Sequence, residues 1–318
     1  MTNKTIDICE QEIILNYPKI MNVLLKDRTT KKNIIWATDD YEELGEFYKA
    51  ENEITIDSIL ANDCKIIQPR ITKSLQNQLN RTKGKAEVFT PSWICNAQNN
   101  LVDKDWFDDA RSFNRETYKS WETNLKKIMF KNRGTNTWQK YIDAFRMEIT
   151  CGEAPYLVSR YDTVNGHSIP LLERIGLLDR KLRIVNENTN DEDEWFKWSI
   201  RAYQSIYGFE LQGDSLLLAR ENLLYTFMDN LDYKFKRKPN EKELLKIANI
   251  ISWNIWQMDG LKFTVPYSSI NAIRINQQLS LFQEEIHEAG YCVIKDWKAV
   301  RLNKKSIIEY RSLIDKEE

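Results

Sequence analysis

Three acidic residues stand at the ends of short apolar runs, each followed within a few positions by a glycine. The first lies in Glu148-Ile-Thr-Cys151-Gly152-Glu-Ala-Pro-Tyr156-Leu157, where a carboxylate precedes a short loop whose glycine lets the backbone approach a ligand closely. The second is Ile206-Tyr-Gly-Phe-Glu210, followed by Leu-Gln-Gly-Asp-Ser and the helix-forming run Leu216-Leu-Leu-Ala-Arg-Glu-Asn222-Leu-Leu224. A carboxylate ending such a strand accepts hydrogen bonds from both ribose hydroxyls, a chemistry that suits any adenosine cofactor. The third is Ile255-Trp-Gln-Met-Asp259-Gly-Leu261, where an acid can accept from the exocyclic amine of adenine. Each has a plainer alternative: an ordinary turn at Gly152, a capping or exposed acid at Glu210, an Asp-Gly turn at Asp259.

The surrounding patterns predict the elements that hold these residues. Strands are expected at 146–149, 206–211, 254–258 and 291–295, with helices at 191–205, 213–229 and 239–251 between them. Strands alternating with helices imply a parallel, doubly wound α/β sheet, in which ligands bind outside the carboxyl ends of the strands. Pro91 opens a helix, and helical patterns follow at 115–130 and 137–145. Before residue 85 the chain reads as a mainly helical extension: a helix over 9–25 interrupted near Pro18, a short buried strand at 33–37, a helix at 41–49 and a polar helix at 71–83. The expected division is 1–85 for the extension and 86–318 for the α/β domain. The basic residues Lys73, Arg81, Lys83 and Lys85 form either a solvated helix face or a phosphate-contacting patch.

Composition narrows the classes. The chain has 318 residues, 46 basic and 47 acidic side chains, and 42 % hydrophobic residues, which excludes disorder as its main state. No run of about 18 apolar residues offers a membrane span. The first residues lack the basic start and apolar core of a signal peptide, so a cytoplasmic location is expected. The five cysteines are far apart, without a CxxC, and reduced thiols are expected. With only His167 and His287, multi-histidine metal sites and a Ser-His-Asp triad are poorly supported.

Taken in order, these elements resemble the cofactor half of S-adenosylmethionine-dependent DNA adenine-N6 methyltransferases, the group that includes modification subunits of restriction systems. The chain is also similar to short proteins described as restriction endonuclease subunit M. That second likeness extends into the N-terminal part through Asn33-Ile-Ile-Trp-Ala-Thr-Asp-Asp-Tyr41, whereas the likeness to the methyltransferases starts at Ala86-Glu-Val-Phe89-Thr90-Pro91-Ser-Trp-Ile94, against a family "GxFxTPxxI". It continues through Glu148–Leu157, against "D-P-x-C-G-x-G-x-F-L", through Tyr207-Gly208-Phe209-Glu210 and Ala219-Arg-Glu-Asn222-Leu-Leu, against "YGxE" and "lAxxNLL", and ends at Asp259-Gly-Leu261. The resemblance implies a Rossmann-like methyltransferase fold with S-adenosylmethionine as cofactor. Phe89, Thr90 and Pro91 would line its methionine end, Glu148, Cys151 and Gly152 would lie beneath its amino-acid and sulfonium part, Glu210 would bind ribose, and Asp259 would bind the adenine amine. It also implies double-stranded DNA as partner, with a separate specificity or restriction subunit beside it and no membrane.

The departures are specific. Ala154 and Pro155 replace two glycines of the first motif, and no Pro-Pro dipeptide supplies the catalytic "N/D-P-P-Y/F" element. Thr264-Val-Pro266-Tyr267 keeps half its letters but follows Asp259 too closely for another strand between them. Asp296 and Trp297 end the run 291–295 where the element belongs, as an acceptor for the target amine and a stacking aromatic, or alternatively as a turn residue and a core residue. Arg160, Arg174, Arg180, Lys181 and Arg183 form a basic cluster that either faces DNA or is salt-bridged. Cys151 is a loop packing residue or a nucleophile, and the acidic run 190–194 starts a helix. The expectation is therefore adenine-N6 methylation of DNA in restriction–modification or anti-phage defence. The alternatives are a catalytically degenerate relative serving as a cofactor- or DNA-binding sensor or scaffold, and a nuclease reusing the fold.

Overall fold

The computed structural model describes residues 10–61, 66–85, 87–88, 90–107, 111–130, 137–268 and 290–314. The chain enters through α1 (Glu10–Asn16) and α2 (Pro18–Leu25), broken at Tyr17 because Pro18 takes the first helical position, where its missing N–H costs nothing. Residues 33–37 form isolated bridges, Lys26 with Asn33 and Ile35 with Glu53, and not the expected strand. The helix expected at 41–49 is two single 3₁₀ turns, Glu42–Leu44 and Glu46–Tyr48, because Gly45 between them takes φ +122°. Then come α3 (Ile56–Leu60), α4 (Leu75–Lys85) and α5 (Ser92–Asp103).

The helix expected at 115–130 is instead an antiparallel hairpin, β1 (Asn114–Thr117) and β2 (Ser120–Thr123). It turns at Lys119 with φ +50°, and Arg115 faces Glu122 across it at 2.6 Å. Short alternating polar segments carry little burial signal, so turn geometry and the cross-strand pair decide.

After α6 (Thr137–Asp143) the pattern becomes strand, two helices, strand. β3 (Arg146–Glu148) leads through an irregular segment, 149–176, to α7 (Leu177–Asn188) and α8 (Glu192–Gln204). β4 (Ile206–Glu210), α9 (Gly213–Phe235), α10 (Glu241–Asn254) and β5 (Ile255–Gln257) follow. Both strand pairs are parallel, in the order β3-β4-β5. The fourth parallel strand expected at 291–295 does not join them. β6 (Val293–Lys295) pairs antiparallel with β7 (Ile307–Glu309), with α11 (Trp297–Arg301) between the two. An apolar run reads alike for a buried parallel strand and a hairpin strand, and the partner at 307–309 settles it. The architecture is mixed α/β around a parallel sheet of three strands.

The sheet has two differently covered faces. Ile206 and Ile255 lie in the main core with α9 and α10, whereas Phe209 and Trp256 pack with Ile294, Ile308 and Tyr310 of the β6–β7 side. α9 is buried nearly all round, which fits its weak amphipathic pattern and makes it the central helix. Buried residues from α1 and α2 through α10 form one continuous core across residue 85. A close approach fixes the N-terminal segment against α9: Gly213 donates its N–H to the Trp36 carbonyl at 2.9 Å, and a Cβ there would meet the Ile35 carbonyl oxygen at 2.0 Å. No helix among the described residues is long and apolar enough to cross a membrane.

Candidate functional site

A cleft of about 690 Å³ opens at the carboxyl ends of β3 and β4, a size typical of small-molecule sites. Its lining brings together Thr90, Glu148, Cys151, Gly152 and Glu210, five residues that sequence singled out. Pro91 adjoins Thr90 as the N-cap residue of α5 but does not line the cleft. Phe89 and Ala86 lie outside the described residues.

Glu148 anchors the irregular segment from below. Its carboxylate accepts the N–H groups of Tyr156 at 3.3 Å and Leu157 at 3.1 Å. Burial pushes it well above the ordinary carboxylate range against those two hydrogen bonds, and neighbouring Glu210 adds to the rise. Glu210 accepts Leu211 N–H at 2.9 Å and Gln212 N–H at 3.1 Å on Oε1, and Gly152 N–H at 2.8 Å on Oε2. Burial raises it too, against the same three donors. A carboxylate offers about four acceptor sites, so one stays open; two ribose hydroxyls fit only if Gly152 N–H gives up its place. Gly152 itself has φ +53°, a conformation that glycine adopts without strain.

Other buried polar groups fix the walls. Asn99 Nδ2 donates to the Tyr156 and Ile175 carbonyls, both at 3.0 Å, which pins α5 to the irregular segment. Asp179 accepts Ser159 N–H at 2.8 Å and Gly176 N–H at 3.2 Å at the start of α7. Glu153 accepts Arg70 N–H at 2.6 Å and the Tyr161 hydroxyl. Gln98 and Asn99, both lining the cleft, escaped the sequence reading, and Tyr156, which also lines it, was quoted within the Glu148–Leu157 element without a role. The only available signal was the amide-rich run Asn96-Ala-Gln-Asn-Asn100, an unusual choice inside a helix.

The cleft is poor in cations: Glu87, Glu148 and Glu210 line it, and among the described residues no lysine or arginine does. Glu87 is held from behind by Arg81 and, at 3.4 Å, by Arg70. Arg81 is almost fully buried, and it also binds Asp40 at 2.6 Å and Asp214 at 2.9 Å. Lys73 reaches Asp214 at 2.8 Å. Two of the four basic residues around α4 are thus neither a solvated face nor a phosphate patch; they lock α4 onto the start of α9. The ion pairs with Lys73 and Arg81 hold Asp214 well below the usual carboxylate range despite its burial.

Asp259 is not part of the cleft lining. Its Oδ1 accepts Leu261 N–H at 3.0 Å and Lys262 N–H at 3.2 Å, the pattern of a turn, and Lys262 Nζ sits 3.2 Å from Oδ2. At the carboxyl end of β5 the Gln257 amide pairs with Ile35, accepting its N–H at 2.9 Å and donating to its carbonyl at 2.8 Å. The N-terminal segment thus occupies ground beside β5.

Asp296 and Trp297 lie on the β6–β7 side. Asp296 is the N-cap of α11, accepting Lys298 N–H at 2.8 Å and Ala299 N–H at 3.0 Å on Oδ1. Trp297 is 6 % exposed and donates Nε1–H to Asn254 Oδ1 at 2.7 Å. In this arrangement it is a core residue and presents no open ring face for a base. Cys151 is buried, and burial together with Glu148 and Glu210 raises its thiol, the opposite of an activated nucleophile.

The basic cluster is held by internal partners: Arg180 and Lys181 are buried, Arg160, Arg174 and Arg183 half-buried, and the four arginines are ion-paired. Arg180 binds Asp103, Asn96 and Asn100, and Lys181 donates to the Ile142 and Ala144 carbonyls and to Ser205. Arg160 and Arg174 share Asp229, and Arg183 pairs with Glu187. Asp191 caps α8 through Glu194 N–H at 2.8 Å, as the acidic run led one to expect. Among the described residues, no group of three or more His, Cys, Asp or Glu side chains is placed to hold a metal ion. The chain matches no protein-family model, and comparisons with curated proteins and with solved structures find no match.

Proposed function

We propose that the cleft binds S-adenosylmethionine, and that the protein is a methyltransferase-like, catalytically degenerate cofactor-binding sensor or scaffold of a restriction–modification or anti-phage defence system. The observation that carries this reading is the lining: strand-end carboxylates and backbone donors, with no lysine or arginine among the described residues. Phosphate-bearing cofactors seek cations or free helix N–H groups, and here Glu210 takes Leu211 and Gln212 N–H just before α9, while Gly213 N–H is held by the Trp36 carbonyl and Ser215 N–H by Asp214. An ammonium and a sulfonium suit acids whose charge is suppressed by burial, because a cationic ligand draws them back to the ionised form. Glu210 would hold the ribose, with Gly152 N–H yielding to the second hydroxyl, and Glu148 would lie beneath the amino-acid part. The adenine contact expected of Asp259 is not carried forward. The bound group would supply an electrophilic methyl, but Asp296 and Trp297 are spent on a helix cap and on packing.

The test is a paired assay of S-adenosylmethionine binding at equilibrium and of labelled methyl transfer to double-stranded DNA. Binding without transfer is expected. Transfer that Asp296→Ala abolishes would overturn the degenerate reading in favour of an active adenine-N6 methyltransferase, and absence of binding by folded protein would overturn both.

A further inference from the structure

The described strands leave both edges of the parallel sheet unpaired; the Arg220 and Cys292 side chains hydrogen-bond the Ile255 and Gln257 carbonyls of β5, and the edge at β3 is the one of interest. Arg146 N–H donates to the Ser205 carbonyl at 2.9 Å, so its backbone groups face β4. The alternation of a strand then turns the N–H and C=O of Met147 outward. Phe145, Met147 and Ile149 follow that edge at every second position, 58, 39 and 66 % exposed. A clustered apolar stripe on a sheet edge is what protein partners use.

Beside the edge lies a second cavity, of about 350 Å³, where β6 and β7 stop short of covering the sheet face. Phe145, Met147, Tyr207, Trp256, Ile308 and Tyr310 wall it. A nucleobase would bury several polar atoms unpaired against such walls, whereas a hydrocarbon side chain loses nothing there. At the rim stand Lys295, Lys298 and Asp296. Asp296 turns Oδ1 to the start of α11, and Lys298 is exposed, which leaves the rim net positive.

We infer that this edge docks an extended segment of a partner protein, which adds a strand beside β3 and places one large apolar side chain in the cavity with an acidic residue next to it, toward Lys298. Main-chain pairing with Met147 sets the register and contributes affinity, and the pocket for the apolar side chain gives specificity, as in other strand-addition complexes. Met147 and Ile149 also line the cleft, so the added strand borders it; Phe145 and the other cavity residues do not, and Phe145→Lys separates loss of docking from a change in the cleft.

A phage-displayed library of random dodecapeptides, panned on the full-length chain, tests it. Selected peptides are expected to alternate apolar and polar residues around a Trp, Phe or Leu with Asp or Glu adjacent. Their affinity is expected to fall by more than about tenfold in Phe145→Lys and in Ile149→Lys. Both positions are exposed, so the fold is retained, and an unchanged melting curve checks this. N-methylation of the peptide amides facing β3 is expected to cost a similar factor. The inference is overturned if no peptide is enriched, if the selected peptides ignore both variants, if N-methylated peptides bind equally well, or if adenosine monophosphate displaces them and so marks a nucleotide pocket.

Discussion

Glu210 ends β4 and Asp296 directly follows β6, and each accepts backbone N–H groups where the chain turns into a helix, yet their surroundings differ in every other respect. Glu210 receives N–H groups from two separate segments, its own strand end and the loop of Gly152, and it faces a cleft that no described lysine or arginine lines. Asp296 receives both of its N–H groups from the first turn of its own helix, and the aromatic beside it is packed away against Asn254. An acid at a strand end is thus a structural cap unless a second segment and an opening converge on it. The convergence, and not the acid, marks the cleft.

The contrast can be broken in several ways. The largest expected effect is on stability: Trp297→Ala should cost about 3–5 kcal/mol, as large-to-small changes in a core do. Urea unfolding measures it, and an unchanged midpoint would return Trp297 to a stacking role. Next comes pH. Because burial raises Glu148, the folded state holds its proton more tightly than the unfolded chain does. The stability this contributes is complete below the ordinary glutamate range, near about pH 4.3, and is lost as pH rises through the raised pKa. Glu148→Gln removes that slope, so urea midpoints of the variant should vary less between weakly acid and neutral pH. Asp214 has the opposite sign: its stabilisation is present above the ordinary aspartate range and lost as pH falls below it. Asp296→Ala should cost about 1 kcal/mol, the worth of a helix cap, and leave S-adenosylmethionine affinity unchanged. The smallest effect is expected at Asp259→Ala, a change in that affinity of less than about threefold, or roughly 0.7 kcal/mol. A larger loss in calorimetric titration would bring Asp259 back into the cleft.

The legible part of the fold was the segment whose periodicity is strong. The strands β4 and β5 and the helices α8, α9 and α10 sit where apolar spacing puts them. Their order alone was enough to gather Glu148, Gly152 and Glu210 at one end of the sheet. What escaped depends on partners distant in sequence. Lys181 reads as a surface charge until the carbonyls of Ile142 and Ala144 enclose it, and Arg81 reads as helix surface until Asp214 and Glu87 meet it. Val293–Lys295 reads as a core strand until Ile307–Glu309 pairs with it. The placement of Ile35 beside Gln257 at the end of β5 likewise follows from a contact no local pattern encodes.

Calorimetric titration of S-adenosylmethionine into the full chain, run in parallel on Glu210→Ala and Asp296→Ala, tests the cleft most directly. Saturable binding is expected, weakened by more than about tenfold in Glu210→Ala and unaltered in Asp296→Ala. Absence of saturable binding by folded wild-type protein, or an equal affinity in Glu210→Ala, would contradict the assignment of the cleft.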